Sequence, residues 1–120
     1  MNKLDSVYLF HVRDSINKIL EYTDISDVDS FQSNSMMQDA VIRQIEIIGE
    51  ASSKLSKAFR DNNSHIPWKN IVGMRNKLIH DYFGVDVMAI WETVKNDIPS
   101  LKKNIDEIIS SLDQSLNFLL

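Results

Sequence analysis

An arginine, a histidine and a tyrosine stand close together in residues 74 to 84, MRNKLIHDYFG. Arg75 offers a rigid guanidinium fork that suits an oxyanion such as a phosphate. His80 titrates near neutral pH and can take or give a proton, as phosphodiester cleavage and many other transfers require. Tyr82 supplies a hydroxyl two residues further on. Each residue also has a bland role: half of a structural ion pair, an ordinary surface imidazole, a boundary aromatic with its hydroxyl in water. The elements that hold the three side chains decide between these roles.

Pro67 has the pre-set φ of a first helical residue, and Gly84 is a natural stop, so the spacing predicts one helix from Pro67 to about Phe83. Wrapped at about 100° per residue, this helix has a broad apolar arc of Trp68, Ile71, Val72, Met74, Leu78, Ile79, Tyr82 and Phe83, with Arg75 in its middle. Asn76 and His80 share the opposite, polar face, about 140° from Arg75 in the case of His80. A guanidinium on an apolar face needs a partner, because stripping its hydration costs several kcal/mol. Glu46 or Glu50 could pair with it, it could reach water past Trp68, or the arc could be a subunit interface with Arg75 in a cleft between two chains.

The rest of the chain reads as helical. Residues 4 to 22 place Leu4, Tyr8, His11, Val12, Ile16, Ile19 and Leu20 near one stripe. Residues 23 to 34, TDISDVDSFQSN, are turn and cap formers and read as a linker. A second helix is expected from Ser35 to Arg60, with Met37, Val41, Ile48, Ala51, Leu55 and Phe59 inward and Asp39, Arg43, Glu46, Glu50, Lys54 and Lys57 outward. Two further helices are expected over residues 86 to 97 and 99 to 114, with Pro99 marking a break or kink. The expectation is an all-α, up-down bundle of four to five helices forming a single domain over residues 1 to 120.

Composition narrows the chemistry. With no cysteine among 120 residues, neither a disulfide framework nor a thiol nucleophile is available, and a reducing cytoplasm is a comfortable home. No apolar run approaches the roughly 20 residues of a membrane span, so a soluble, cytoplasmic protein is expected. Three scattered histidines without a clustered carboxylate spacing argue against a metal. No phosphate-cradling glycine loop, dinucleotide fingerprint or nucleophile elbow is present. The net charge of −4 disfavours broad nucleic-acid coating, yet residues 43 to 82 carry seven basic and four acidic groups while both flanks are acidic.

The segment IPWKNIVGMRNKLIHDYFGVD, residues 66 to 86, resembles the signature of the HepT-like proteins, a branch of the HEPN-domain ribonucleases found as toxins in toxin–antitoxin pairs. Its core is R-x4-H-x-Y, here Arg75, His80 and Tyr82, set among Pro67, Trp68, Gly73, Asn76, Leu78, Phe83 and Asp86. QDAVIRQIEIIGEA (38 to 51) and IWETVKNDIPSLKKNI (90 to 105) extend the likeness over nearly the whole chain.

The resemblance implies a HEPN-like fold and a metal-independent, cofactor-free endoribonuclease acting on RNA at a cleft between two subunits of a homodimer. It implies His80 as general acid/base, Arg75 as stabiliser of phosphoryl charge and Asn76 as an orienting group. It also implies a cognate nucleotidyltransferase antitoxin that transfers AMP to Tyr82. The alternative is a non-catalytic helical partner that binds a nucleotidyltransferase or nucleotide and merely retains the motif.

Overall fold

The computed structural model describes residues 1–79 and 84–119, with side chains described as far as Leu112. Three long helices dominate it: α1 (Lys3–Thr23), α3 (Ser35–Lys54) and α8 (Ile98–Leu119). Asparagines start the first two. Asn2 Oδ1 accepts the Asp5 N–H at 2.7 Å, and Asn34 Oδ1 accepts the Met37 N–H at 3.0 Å, satisfying donors that a helix start leaves open. Between them the expected linker holds a short helix, α2 (Val28–Gln32), because Asp27 caps it through the Ser30 N–H and Phe31 drops into the core.

The expected helix from Ser35 to Arg60 divides in two. Leu55 turns extended, and Ser56 opens α4 (Lys57–Asn62) by accepting the Phe59 N–H on its Oγ at 3.1 Å. Asp5, buried on α1, accepts both the N–H and the Oγ–H of Ser56 at 2.7 Å. That tertiary clasp favours a cap at Ser56 over a continued helix, although Leu55 and Phe59 keep the helical period and are buried.

The motif segment also departs from a single helix. α5 (Trp68–Val72) and α6 (Met74–Leu78) are separated at Gly73, whose φ −89° and ψ 1° lie outside the helical well. α6 stops at Leu78, with Ile79 extended at φ −116° and ψ 121°, and Gly84 takes a left-handed φ of 83° well beyond the helix end. Downstream, α7 (Val87–Glu92) runs through a widened π turn, Thr93–Asp97, into α8. Pro99 therefore does not break the chain. The Ile98 N–H reaches back five residues to the Thr93 carbonyl, and this wider turn precedes the proline ring while the chain stays helical.

The core is built from Leu9, Val12, Ile16 and Ile19 of α1, Val41, Ile45, Ile48 and Ala51 of α3, and Ile98, Leu101 and Ile105 of α8. On α1 the buried stripe is rotated from the expected one: Leu9 is inside, whereas Leu4 is 65% exposed and His11 faces solvent. α3 packs along α1 on one side and carries α5 and α6 on another. Gly49 permits the second contact, since a Cβ there would stand 3.2 Å from the Val72 carbonyl oxygen. The described residues contain no strand, only a single antiparallel bridge between Ile79 and Val85. The protein is an all-α helical bundle, with more and shorter elements among its described residues than the four to five expected.

Candidate functional site

Because Gly73 resets the helical phase and α6 is five residues long, Arg75 does not lie within a covered apolar arc. Met74 and Leu78 are buried, while the Arg75 side chain is 50% exposed. Its Nε donates to Glu46 Oε1 of α3 at 3.1 Å. The hydration problem raised by the sequence is thus solved by partial exposure and one carboxylate. Glu50 forms its ion pair with Lys54 instead, at 3.3 Å.

Holding an arginine by Nε leaves the outer edge of the fork, its two Nη groups, for another acceptor. Among the described residues those groups have no partner. Arg43, one turn before Glu46 on α3, places Nη1 3.7 Å from Glu46 Oε2. One carboxylate between two guanidinium groups leaves a local charge of +1 at the surface. Sequence reasoning assigned Arg43 only to a solvated face, although its i,i+3 spacing from Glu46 was visible.

Asn76 is exposed on α6. The helix expected to carry both Asn76 and His80 ends at Leu78, and Ile79 is extended. His80 and Tyr82 lie outside the described residues. The chain on either side of them is held together: Ile79 bridges to Val85, and the Asp86 N–H donates to the Leu78 carbonyl at 2.8 Å. Asp86 also caps α7 by accepting the Ala89 N–H at 3.1 Å. The end of α6, three residues after Arg75, is therefore tied to the start of α7.

The exposed face of α3 runs as a strip through Arg43, Glu46, Glu50 and Lys54, between the packed sides that meet α1 and α6. Arg75 leans onto this strip from α6; Tyr8 and His11 approach it from α1, where they and Lys54 line a recess of about 250 Å³. Among the described residues, no three His, Asp or Glu side chains are grouped so as to hold a metal ion. Nor, among them, is any helix long and apolar enough to cross a membrane.

Comparison with known proteins places this site in context. Residues 12–108 match the family model "Ribonuclease HepT-like". The chain is 49% identical over 117 residues to a Methanocaldococcus jannaschii protein named "Gamma-glutamylcyclotransferase and putative RNase"; the match covers 98% of this chain and 53% of that protein, about half its length. It is 43% identical to a "Putative RNase" of the same organism, covering 88% of this chain and 98% of the relative. It is likewise 43% identical to the "Probable ribonuclease HepT" of Thermococcus cleftensis, covering 90% and 98%. No solved structure matches the chain. An all-α bundle that presents a half-exposed, carboxylate-held arginine at the head of R-x4-H-x-Y thus coincides with a family match over most of its length, and the chain belongs to the HepT-like ribonuclease family.

Proposed function

We propose that the protein is an endoribonuclease that cleaves RNA without a metal, using Arg75 and His80 at a cleft completed by a second copy of the chain. The observation that carries this reading is Arg75 itself: a guanidinium fixed by Glu46 through Nε, half-exposed, with its Nη groups free of other described partners. Such a group stabilises the charge that develops on the phosphoryl oxygens. His80 takes the proton from a ribose 2′-OH as that oxygen attacks the adjacent phosphorus. The bond to the 5′ oxygen breaks, and a proton is returned to the leaving oxygen. The products are a 2′,3′-cyclic phosphate and a 5′-hydroxyl end. Asn76, exposed on α6 beside Arg75, orients the phosphate or the imidazole.

In this reading the chain is the toxin of a toxin–antitoxin pair, and a small nucleotidyltransferase silences it. The Tyr82 hydroxyl attacks the α-phosphorus of ATP, pyrophosphate leaves, and the tyrosyl–AMP ester puts a second phosphate within reach of the same arginine. Expression should arrest growth, and Arg75→Ala or His80→Ala should relieve it. Purified protein that leaves RNA intact, with both variants as toxic as the parent, overturns the reading. Co-expression with the transferase should add one AMP, and an addition that persists in Tyr82→Phe refutes that assignment.

The acidic net charge of −4 favours a second reading, a non-catalytic partner that binds the transferase or a nucleotide. Transferase or nucleotide binding that survives Arg75→Ala, with no RNA cleavage by the parent, is its signature.

A further inference from the structure

The recess between α1 and α3 is unexplained by the chemistry at Arg75. It is lined by Tyr8, His11, Ile47, Glu50, Ala51 and Lys54 and opens to solvent over about 250 Å³. Its two rings meet edge to face, with centroids 6.2 Å apart and planes at 79°. Lys54 Nζ lies over the Tyr8 ring, 5.8 Å from its centroid, so a base that takes this face must displace the ammonium sideways. Lys54 and Glu50 form an ion pair at 3.3 Å, both more than half exposed, so that a carboxylate acceptor and an ammonium donor stand side by side at the mouth.

Position links the recess to the arginine. Glu46 and Glu50 are four residues apart on α3, a rise of about 6 Å along one face, which is on the order of one step of an extended RNA strand. The face of α3 that holds the Glu46–Arg75 pair therefore also carries Glu50 and Lys54 of the recess, one and two turns further on.

We propose that this recess is a nucleobase subsite for the RNA strand whose phosphate lies on Arg75, and that it selects guanine. The inference rests on the ribonuclease reading. The base stacks on Tyr8 beside His11 as the half-exposed Lys54 swings off the ring, a contact open to any base because every base has a π face. Selection comes from the edge: guanine presents N1–H and N2–H donors next to the O6 acceptor. Glu50 accepts from the two donors while Lys54 donates to O6. Uracil offers two acceptors and a single donor, and leaves the carboxylate half-used.

The test is binding of short single-stranded RNA to the full chain carrying His80→Ala, which prevents cleavage during the measurement. One probe is oligouridine and the other the same oligomer with a single guanosine, read by fluorescence anisotropy. The guanosine probe should bind about tenfold more tightly. Tyr8→Ala should weaken both probes by about tenfold, whereas Tyr8→Phe should retain the affinity. Glu50→Gln, a change at an exposed helix position, should remove the preference for guanosine and leave oligouridine binding unchanged or tighter.

Should Tyr8→Ala fold poorly, the Glu50→Gln comparison decides alone. RNA binding that depends on Arg75 but ignores Tyr8 and Glu50 overturns the subsite and leaves the ribonuclease reading intact. No RNA binding by the parent overturns both.

Discussion

Removing the Glu46 carboxylate separates what the pair does for stability from what it does for the reaction. The pair is surface-exposed, with 33% of the Glu46 side chain and 50% of the Arg75 side chain accessible, so solvent screens it. Such pairs contribute about 0.2–1 kcal/mol, which for a chain of this size moves Tm by no more than about 5 °C. Under the proposed mechanism the effect on turnover is larger. Without the 3.1 Å bond to Nε, nothing described on α3 orients the Arg75 fork, and a displacement of about 1 Å at a positioning group costs about a hundredfold in rate.

Affinity moves the other way. A carboxylate about 6 Å from a bound phosphate repels it by about 0.7 kcal/mol under full water screening and by about 3 kcal/mol at the dielectric of a protein surface, so Glu46→Ala should tighten RNA binding at least about threefold at low salt and less at high salt. The assay is cleavage of a quenched fluorescent RNA under saturating and limiting conditions, beside a thermal melt. Expected are kcat down by about a hundredfold, KM unchanged or lower, and a small Tm change. Glu46→Gln, which keeps an acceptor oxygen for Nε, should lie between the parent and Glu46→Ala. If Glu46→Ala turns over within twofold of the parent while Arg75→Ala is inactive, Arg75 acts without this tether and the orienting role is refuted.

Other perturbations test the frame that carries the site. Asp5→Ala removes a buried carboxylate holding Ser56 through two bonds of 2.7 Å and should cost about 2–4 kcal/mol in denaturant unfolding; a loss below about 1 kcal/mol would show that the clasp is dispensable. Gly84→Ala meets no atom within 4 Å, so its expected cost of about 1–2 kcal/mol comes from the left-handed φ of 83° alone, and Gly84→Asn should recover part of it. Asp27 is held below its usual 3.8, first by the Ser30 backbone N–H and then by the Ser30 side chain. Its cap on α2 is therefore at full strength above the unfolded value and fades as pH falls through the folded one, so Asp27→Asn should flatten the acid limb of the stability profile.

The periodic pattern was sufficient to find α1 and α3 as helices, because long amphipathic runs bury one stripe whatever they pack against, but on α1 it set that stripe off by one residue at Leu9. It also offered Glu46 and Glu50 as candidate partners of Arg75, and of the two it is Glu46 that pairs with it. It misjudged the ends and joints. The helix read as continuous to Arg60 stops at Lys54 because a carboxylate fifty-one residues before Ser56 binds it. A turn-rich stretch became α2 because Phe31 had a core to enter.

The same division holds at the site. Local chemistry by itself determined an all-α chain, its long helices and the R-x4-H-x-Y residues, since amphipathic period, cap residues and side-chain type are written into short stretches. Only the tertiary structure decided how Arg75 is presented. A wheel drawn through an unbroken helix put it in the middle of an apolar arc; the break at Gly73 and the end at Leu78 turned it onto the exposed face of α3. Glu46 is twenty-nine residues away in sequence and 3.1 Å away in space. No local rule encodes that approach, which follows from Gly49 letting α5 close onto α3 and carry α6 with it.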